Sequence, residues 1–346
     1  MLKNYTLFLV CLLGVRVNAN TLCARDLVVV NAVEKLLAKE CSEISSSDLR
    51  GIKRLNLSSK GLTQLRIKDF YGLVEIEFLS LSYNPIKQID EGYFSIFPKL
   101  RVLYLRSIHL ENLEEKAFKR NTLLERLDLA QNKLNTIPKA TFSDLKKLRY
   151  LDLGQNLISK IDGDSFSNLV LLNKLALGGN KISYLSPKAF SGLLNLKNLS
   201  LYSNEIRYLP NNIFDELTLL EELSLSVNRI VWLSQIIFQK NKGLRRLYIG
   251  ANPISFLPKL IFADLKNIEE LYLNYLELTD LPLEIFKFKK RLNKIFLNDN
   301  LIESLSAEVF APVRTNKGLR VFLARNPLKD ETIVEMKDYL NESFVY

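Results

Sequence analysis

The chain has 346 residues, longer than most single globular cores, and carries 48 Lys and Arg against 38 Asp and Glu, a formal net charge of +10. One histidine and three cysteines exclude a Cys/His cluster with zinc spacing, and a Ser–His or Cys–His nucleophile would have to be built around His109. No glycine-rich loop could cradle phosphates, so neither an enzyme nor a cofactor is expected.

The first element is a leader. Lys3 supplies a positive start, Tyr5 to Val15 is an apolar run too short to span a bilayer, and Val17-Asn18-Ala19 offers a small-residue cleavage site. Residues 1–19 therefore read as a signal peptide, and a mature, secreted chain would begin near Asn20. Cleavage removes Cys11 and two cations, Lys3 and Arg16, which takes the charge from +10 to +8. No later segment is apolar enough to cross a membrane, and the tail Asn341–Tyr346 lacks the hydrophobic stretch of a lipid-anchor signal.

Residues 20–51 read as an N-terminal cap. Cys23 and Cys41 are a pair in an exported chain, which points to one disulfide; two free buried thiols are the alternative. Between them Leu27, Val28, Val33, Leu36 and Leu37 make an apolar face, helical or partly extended, expected to cover the open end of the first coil, which starts at residue 52.

From residue 52 to residue 328 the chain repeats. A phenylalanine recurs every 24 residues, eleven times from Phe70 to Phe310. Each is preceded by a Leu-x-x-Leu-x-Leu-x-x-Asn run, clear in Leu124/Leu127/Leu129/Asn132 and Leu196/Leu199/Leu201/Asn204. The alternating leucines point one way from a short strand and the residues between them point the other way. Identical plugs at a fixed period are what a stack of like coils needs. Lys60, Ile108 and Leu276 replace the Asn in three copies, and Ile108 and Leu276 are expected to interrupt an amide ladder at about 1 kcal/mol each.

These runs resemble the extracellular, 24-residue class of leucine-rich repeat proteins. The resemblance implies an α/β solenoid, a right-handed horseshoe of twelve repeats. A parallel sheet would line its concave face, and irregular or short helical segments would form its convex face. The Asn amides would bond backbone groups and the Phe side chains would build a spine. At about 4.8 Å per strand the concave arc would run roughly 50 Å. Among secreted members the chain looks most like the arthropod kind, including the leucine-rich immune proteins of mosquitoes, without their C-terminal coiled coil. Residues 329–346 form a C-terminal capping segment in this reading, with Ile333, Val334, Met336, Tyr339 and Leu340 on an amphipathic helix begun by Asp330. With no further cysteine to cross-link copies, a monomer or a non-covalent dimer is expected.

The charge is ordered. The residue seven before the Asn position alternates in sign, as in Lys53, Glu77, Arg101, Glu125 and again Lys197, Glu221, Arg245, Glu269, so stacked neighbours attract. Surplus cations collect at Lys119-Arg120, Lys146-Lys147, Lys240 with Lys242, and Lys287 with Lys289-Lys290-Arg291. This is a basic edge for anionic glycans, or only a solvated rim. Nucleic acid is not expected, because no motif for it is present. Asp128 and Asp152 fall on adjacent strands near Arg126; they read as polar surface rather than as a metal or acid–base site. Sequons place candidate glycans on Asn56, Asn198 and Asn341. A glycan at Asn198 would obstruct the middle of the arc, so either that site is empty or ligands dock away from it.

The central solvent-facing column reads Asn56, Ser80, Tyr104, Asp128, Asp152, Ala176, Ser200, Ser224, and then Tyr248, Tyr272, Phe296 and Phe322. The last four predict a continuous aromatic strip, flanked by Arg246, Glu270, Lys294 and Arg320, with Tyr275 at the far side. A strip that only favours ladder pairing, or that the tail folds over, is the alternative. A second candidate group is Phe78, Val102, Tyr104 and Tyr150. The reading is a secreted, non-enzymatic protein that binds an extracellular protein or glycan on its concave face, in innate immunity. The alternative is a matrix or adhesion component that binds anionic glycans through the basic edge.

Overall fold

The structure is a computed structural model and describes residues 22–346, so the leader, with Cys11, lies outside the described residues. It is a parallel-sheet solenoid of about twelve turns with little helix. Contacts divide it into two compact units, the first running to Leu157 with Asn168–Leu171, the second comprising Ile158–Ser167 and Leu172–Tyr346.

The first unit opens on α1 (Leu27–Leu37), whose N-terminus is capped by the Asp26 carboxylate accepting from the Val28 amide. The buried face of α1 is Val29, Val30 and Val33. Leu27 and Leu36 are exposed instead of covering the first coil, because the Asp26 cap sets a helical phase that turns them to solvent. Cys23 and Cys41 are joined, with Cα atoms 5.4 Å apart. Alkylation of the freshly folded mature chain should therefore label neither cysteine; two labelled thiols on mass spectrometry would contradict the bridge. A short helix, α2 (Ser46–Gly51), comes next, closed by a reciprocal Ser45–Asp48 capping box.

Five strands then stack in parallel: β1 (Arg54–Asn56), β2 (Phe78–Ser80), β3 (Val102–Tyr104), β4 (Arg126–Asp128) and β5 (Tyr150–Asp152). Each residue pairs with the one 24 positions on, so Leu55, Leu79, Leu103, Leu127 and Leu151 all enter the core. On the other side of the coils Phe94, Phe118 and Phe142 stack at 5.9 and 6.2 Å, with planes 12° apart.

The amide ladder is more tolerant than the sequence suggests. Asn84 donates to the carbonyls of Leu57 and Leu81, and its Oδ1 accepts from Lys60 and Leu62. At Ile108, which has no amide, the backbone N–H donates to Asn132 Oδ1 at 3.0 Å. The carbonyls an amide there would have met, Leu81 and Leu105, still accept from Asn84 and Asn132. Leu276 repeats this with Asn300. The expected interruptions thus leave these backbone groups paired, because each Asn serves two coils.

The second unit contains β6 (Lys160–Ile161), which pairs with β8 (Tyr184–Leu185) in a separate two-stranded sheet. Its main strands are β7 (Lys174–Ala176), β9 (Asn198–Ser200), β10 (Glu222–Ser224), β11 (Arg246–Tyr248), β12 (Glu270–Tyr272), β13 (Lys294–Phe296) and β14 (Arg320–Phe322). Phe190, Phe214 and Phe238 continue the ring spacing within this unit at 6.3 Å per step. A further helix, α3 (Asp330–Leu340), buries Thr332, Met336 and Leu340. Val334, expected on its apolar side, is exposed, and Arg314 lies 4.5 Å over the Tyr339 ring. After α3 the chain adds β15 (Phe344–Val345), parallel to β14, a strand that nothing in the local pattern announces.

One member of the expected basic edge lies inside. Lys289 is fully buried, and its ammonium donates to the carbonyls of Ala263 and Lys287 at 3.0 and 3.1 Å. It stands three residues after Phe286, a position filled by buried Leu145, Leu193, Leu217 and Leu265 in other copies. The repeat therefore carries its side chain inward, whatever the neighbouring Lys290 and Arg291 do. The alternating charges do pair: Lys53–Glu77 at 3.3 Å, Arg101–Glu125 at 2.6 Å, Lys197–Glu221 at 2.7 Å and Arg245–Glu269 at 2.9 Å. These are exposed pairs worth little each, so they serve register more than stability.

Candidate functional site: an aromatic stack on the strand face

The strands β11 to β14 hold the four aromatics in one row because their neighbours Leu247, Leu271, Ile295 and Val321 are driven into the core. Strand alternation then turns Tyr248, Tyr272, Phe296 and Phe322 outward. The rings stack at 4.2, 4.3 and 4.5 Å, with interplanar angles of 21°, 10° and 4°. All four are half-buried, largely by one another. Stacked this way, the inner rings have both faces covered and offer their edges to solvent. A Cβ on Gly250 would stand 2.6 Å from the Asn274 carbonyl oxygen, so the chain beyond Tyr248 has room only for glycine.

The flanking charges are satisfied within the protein. Arg246 pairs with Glu222 at 2.7 Å, and Lys294 with Glu270 at 2.8 Å. The Tyr272 hydroxyl donates to Glu270 at 2.6 Å. Burial, reinforced by the Glu270 hydrogen bond and charge, raises the Tyr272 phenol well above its ordinary range, and burial raises that of Tyr248 as well. Arg320 donates to the Glu342 carbonyl, which ties the strip's flank to the segment before β15. Tyr275 is exposed in a left-handed conformation beside the Arg325–Asp299 pair. The structure thus brings the aromatics together and places the charges along their side as internal pairs.

The tail does not fold over Phe322. It lies beside it, with Val345 the residue in register.

The second candidate group gathers in the first unit. Phe78 meets Tyr104 edge-on at 5.5 Å, Arg54 lies 4.3 Å over the Phe78 ring, and Val102 is half-buried between β2 and β4. Arg126 sits 3.9 Å over Tyr150, not on the aspartates. Asp128 faces Arg106 at 3.6 Å instead, and burial, helped by Asp152, raises its carboxyl pKa against the Ala130 hydrogen bond. Burial and Asp152 push the Tyr150 phenol up to about 12. Among the described residues no group of His, Cys, Asp and Glu could hold a metal ion. His109 is exposed. Of the sequon residues, Asn56 and Asn341 are exposed, whereas Asn198 is half-buried with its amide 3.4 Å from Glu222.

A second aromatic row lies outside the strand-face columns. Four residues after the Asn position stand Tyr184, Tyr208, Trp232 and Phe256, in four successive copies. They are 54%, 62%, 50% and 62% exposed. Indexing every position of the repeat, rather than only the strand positions, would have found them.

A stack of 24-residue coils with leucines inside and polar, charged and aromatic residues on the outer strand face defines a repeat solenoid. The Leucine rich repeat profile matches residues 50–110, 98–158, 123–182, 148–206, 171–230 and 218–278. The chain belongs to the leucine-rich repeat family. No curated protein matches it in sequence. Among solved structures it is similar to a chain of the Toll–Spatzle complex of Drosophila, with a TM-score of 0.73 and 23% identity, over 84% of this chain and 39% of that one. The leucine-rich repeat domain of APL1B, a mosquito protein, gives 0.69 and 18% over 88% and 85%. The internalin inlF of Listeria monocytogenes gives 0.67 and 21% over 93% and 96%. At these identities the likeness is one of fold. No helix among the described residues is long and apolar enough to cross a membrane.

Proposed function

We propose that the chain is a secreted, non-enzymatic recognition protein that binds an extracellular macromolecule along the strip of Tyr248, Tyr272, Phe296 and Phe322. Residues 20–51 and 329–346 serve as its end caps. The observation that carries the reading is the unbroken stack of four rings on a solvent-facing strand surface. Aromatics set among charges are the usual composition of binding hot spots. The internal pairing of Arg246, Glu270 and Lys294 leaves a nearly neutral surface, which suits a protein partner better than a polyanion. The disulfide fits an oxidising compartment. The immune setting leans on Toll–Spatzle, described as a hub in development and innate immunity, with which this chain shares its fold. A matrix role through a basic edge is the second reading. It is weakened because Lys289 is withdrawn from the longest cationic run.

The test starts from the partner that cross-links to the secreted protein in its own source fluid. Tyr272→Ala and Phe296→Ala should each weaken binding by about 2 kcal/mol or more, while changes at the flanking charges alter mainly the association rate. Both variants should fold, since neither ring enters the leucine core. Variants that melt like wild type and bind as tightly would move the site elsewhere.

A further inference from the structure

The second aromatic row points to a ligand of a different kind. Each of its rings stands two positions after a buried Ile and just before a buried Leu: Ile182 and Leu185, Ile206 and Leu209, Ile230 and Leu233, Ile254 and Leu257. That bracket forces Tyr184, Tyr208, Trp232 and Phe256 outward on every coil. Backbone bonds from Glu205 to Ile182 and from Arg229 to Ile206, both 2.9 Å, keep the coils in step beside the row. Unlike the strand-face strip, no ring of this row stacks on another among the described residues, and each of the four side chains is at least half exposed. Arg207 stands 5.6 Å from the Tyr208 ring centre, a cation already beside an aromatic face. The Tyr184 and Tyr208 hydroxyls and the Trp232 indole N–H have no partner among the described residues either. The row is single file, too narrow for the apolar core of a stable protein interface, which needs about 800 Å² per partner. It has a translational repeat, one ring per coil, which fits a ligand that itself repeats. The segments that carry it, residues 181–188, 205–212, 229–235 and 253–259, hold five cations, of which Arg229 pairs with Glu205 at 3.3 Å and Lys259 with Glu284 at 3.1 Å, so Lys181, Lys188 and Arg207, with no ion pair among the described residues, are the surplus positive charge beside the row.

We infer that Tyr184, Tyr208, Trp232 and Phe256 form a second binding site, for a linear acidic polysaccharide whose sugar rings lie on the aromatics and whose carboxylates or sulfates meet the flanking cations. Sugar C–H faces pack on open aromatic faces, and the cations supply charge complementarity. The site is separate from the strand-face strip and does not depend on it.

Trp232 is the only tryptophan of the chain, so its emission reports on the row directly. The full mature protein is titrated with hyaluronan and heparin oligosaccharides at physiological salt. Saturable change of Trp232 emission is expected with at least one of them. Tyr208→Ala and Phe256→Ala, which keep the reporter, should each weaken the response about tenfold. Arg207→Glu should weaken it too, and Tyr272→Ala should leave it unchanged. A thermal melt of each variant shows that folding is intact. No emission change with either oligosaccharide, or equal affinity in Tyr208→Ala, would overturn the site. So would an equal response to the neutral glucan laminarihexaose, a response only to phosphatidylserine vesicles, or a concentration-dependent shift of the protein alone with a doubled sedimenting mass. These last two outcomes would assign the row to a membrane surface or to a second copy.

Discussion

Phe190→Ala is expected to destabilise the chain by about 3–5 kcal/mol, the cost of emptying a large buried aromatic site. Phe190 is 1% exposed and lies 6.3 Å from Phe214 with planes 12° apart. A Cβ on the nearby Gly192 would already stand 2.4 Å from the Ser167 carbonyl oxygen, at a φ of +84°, so the backbone there is packed as tightly as a glycine allows. In a repeat stack each coil leans on its neighbours, so the loss should appear as a lower melting temperature with a broadened transition, since the coils beside the void lose a partner. A melt that overlays wild type would refute the role of the phenylalanine row. Leu194→Ala, at an exposed site four residues on, is the control and should change little.

The second large effect is a pH dependence centred on Lys289. Burial, with Lys266 adding to it, pulls the ammonium down to about 8 from 10.5. Below pH 8 both folded and unfolded chains are protonated there, and the folded state carries the full cost of holding a charge away from water. Between pH 8 and 10.5 the unfolded chain holds one proton more than the folded one, so stability rises with pH. Fully developed, the change is about 3 kcal/mol. Lys289→Met removes the titrating group and keeps most of the volume. Urea midpoints measured from pH 7 to 10.5 should therefore show a rise in wild type that is absent from the variant. Parallel curves for the two proteins would mean that the ammonium is solvated.

Much of this architecture is legible because the period is strict. Phe70 to Phe310, the alternating leucines, the charge pairs such as Arg101–Glu125 and the strand-face row of Tyr248 to Phe322 all come from counting in steps of 24. The features that escaped did so for identifiable reasons. Lys289 reads as part of a cationic run because Lys290 and Arg291 stand next to it, yet its place in the coil is one that points inward. The face of α1 depends on where Asp26 caps it, which hydrophobicity alone does not tell. The strand β15 has two residues and forms only because β14 presents an unpaired edge. The ion pairs that neutralise Arg246 and Glu270 depend on side chains reaching to the next strand, and a column read one strand at a time conceals them. The second aromatic row stands four residues past each Asn position, outside the Leu-x-Leu run whose alternation marks an outer face.

The stack of Tyr248, Tyr272, Phe296 and Phe322 has ends, and the ends differ. Next in register beyond Phe322 is Val345, an aliphatic side chain on the same side of the sheet. Next beyond Tyr248 is Ser224, and after it Ser200, whose side chains are a hydroxymethyl each. One terminal ring therefore has a branched aliphatic neighbour, while the other looks across a floor of hydroxyls. The row is thus a vector, not merely a patch: translation by one coil toward Val345 ends on an aliphatic side chain, and translation by one coil toward Ser224 ends on a hydroxyl.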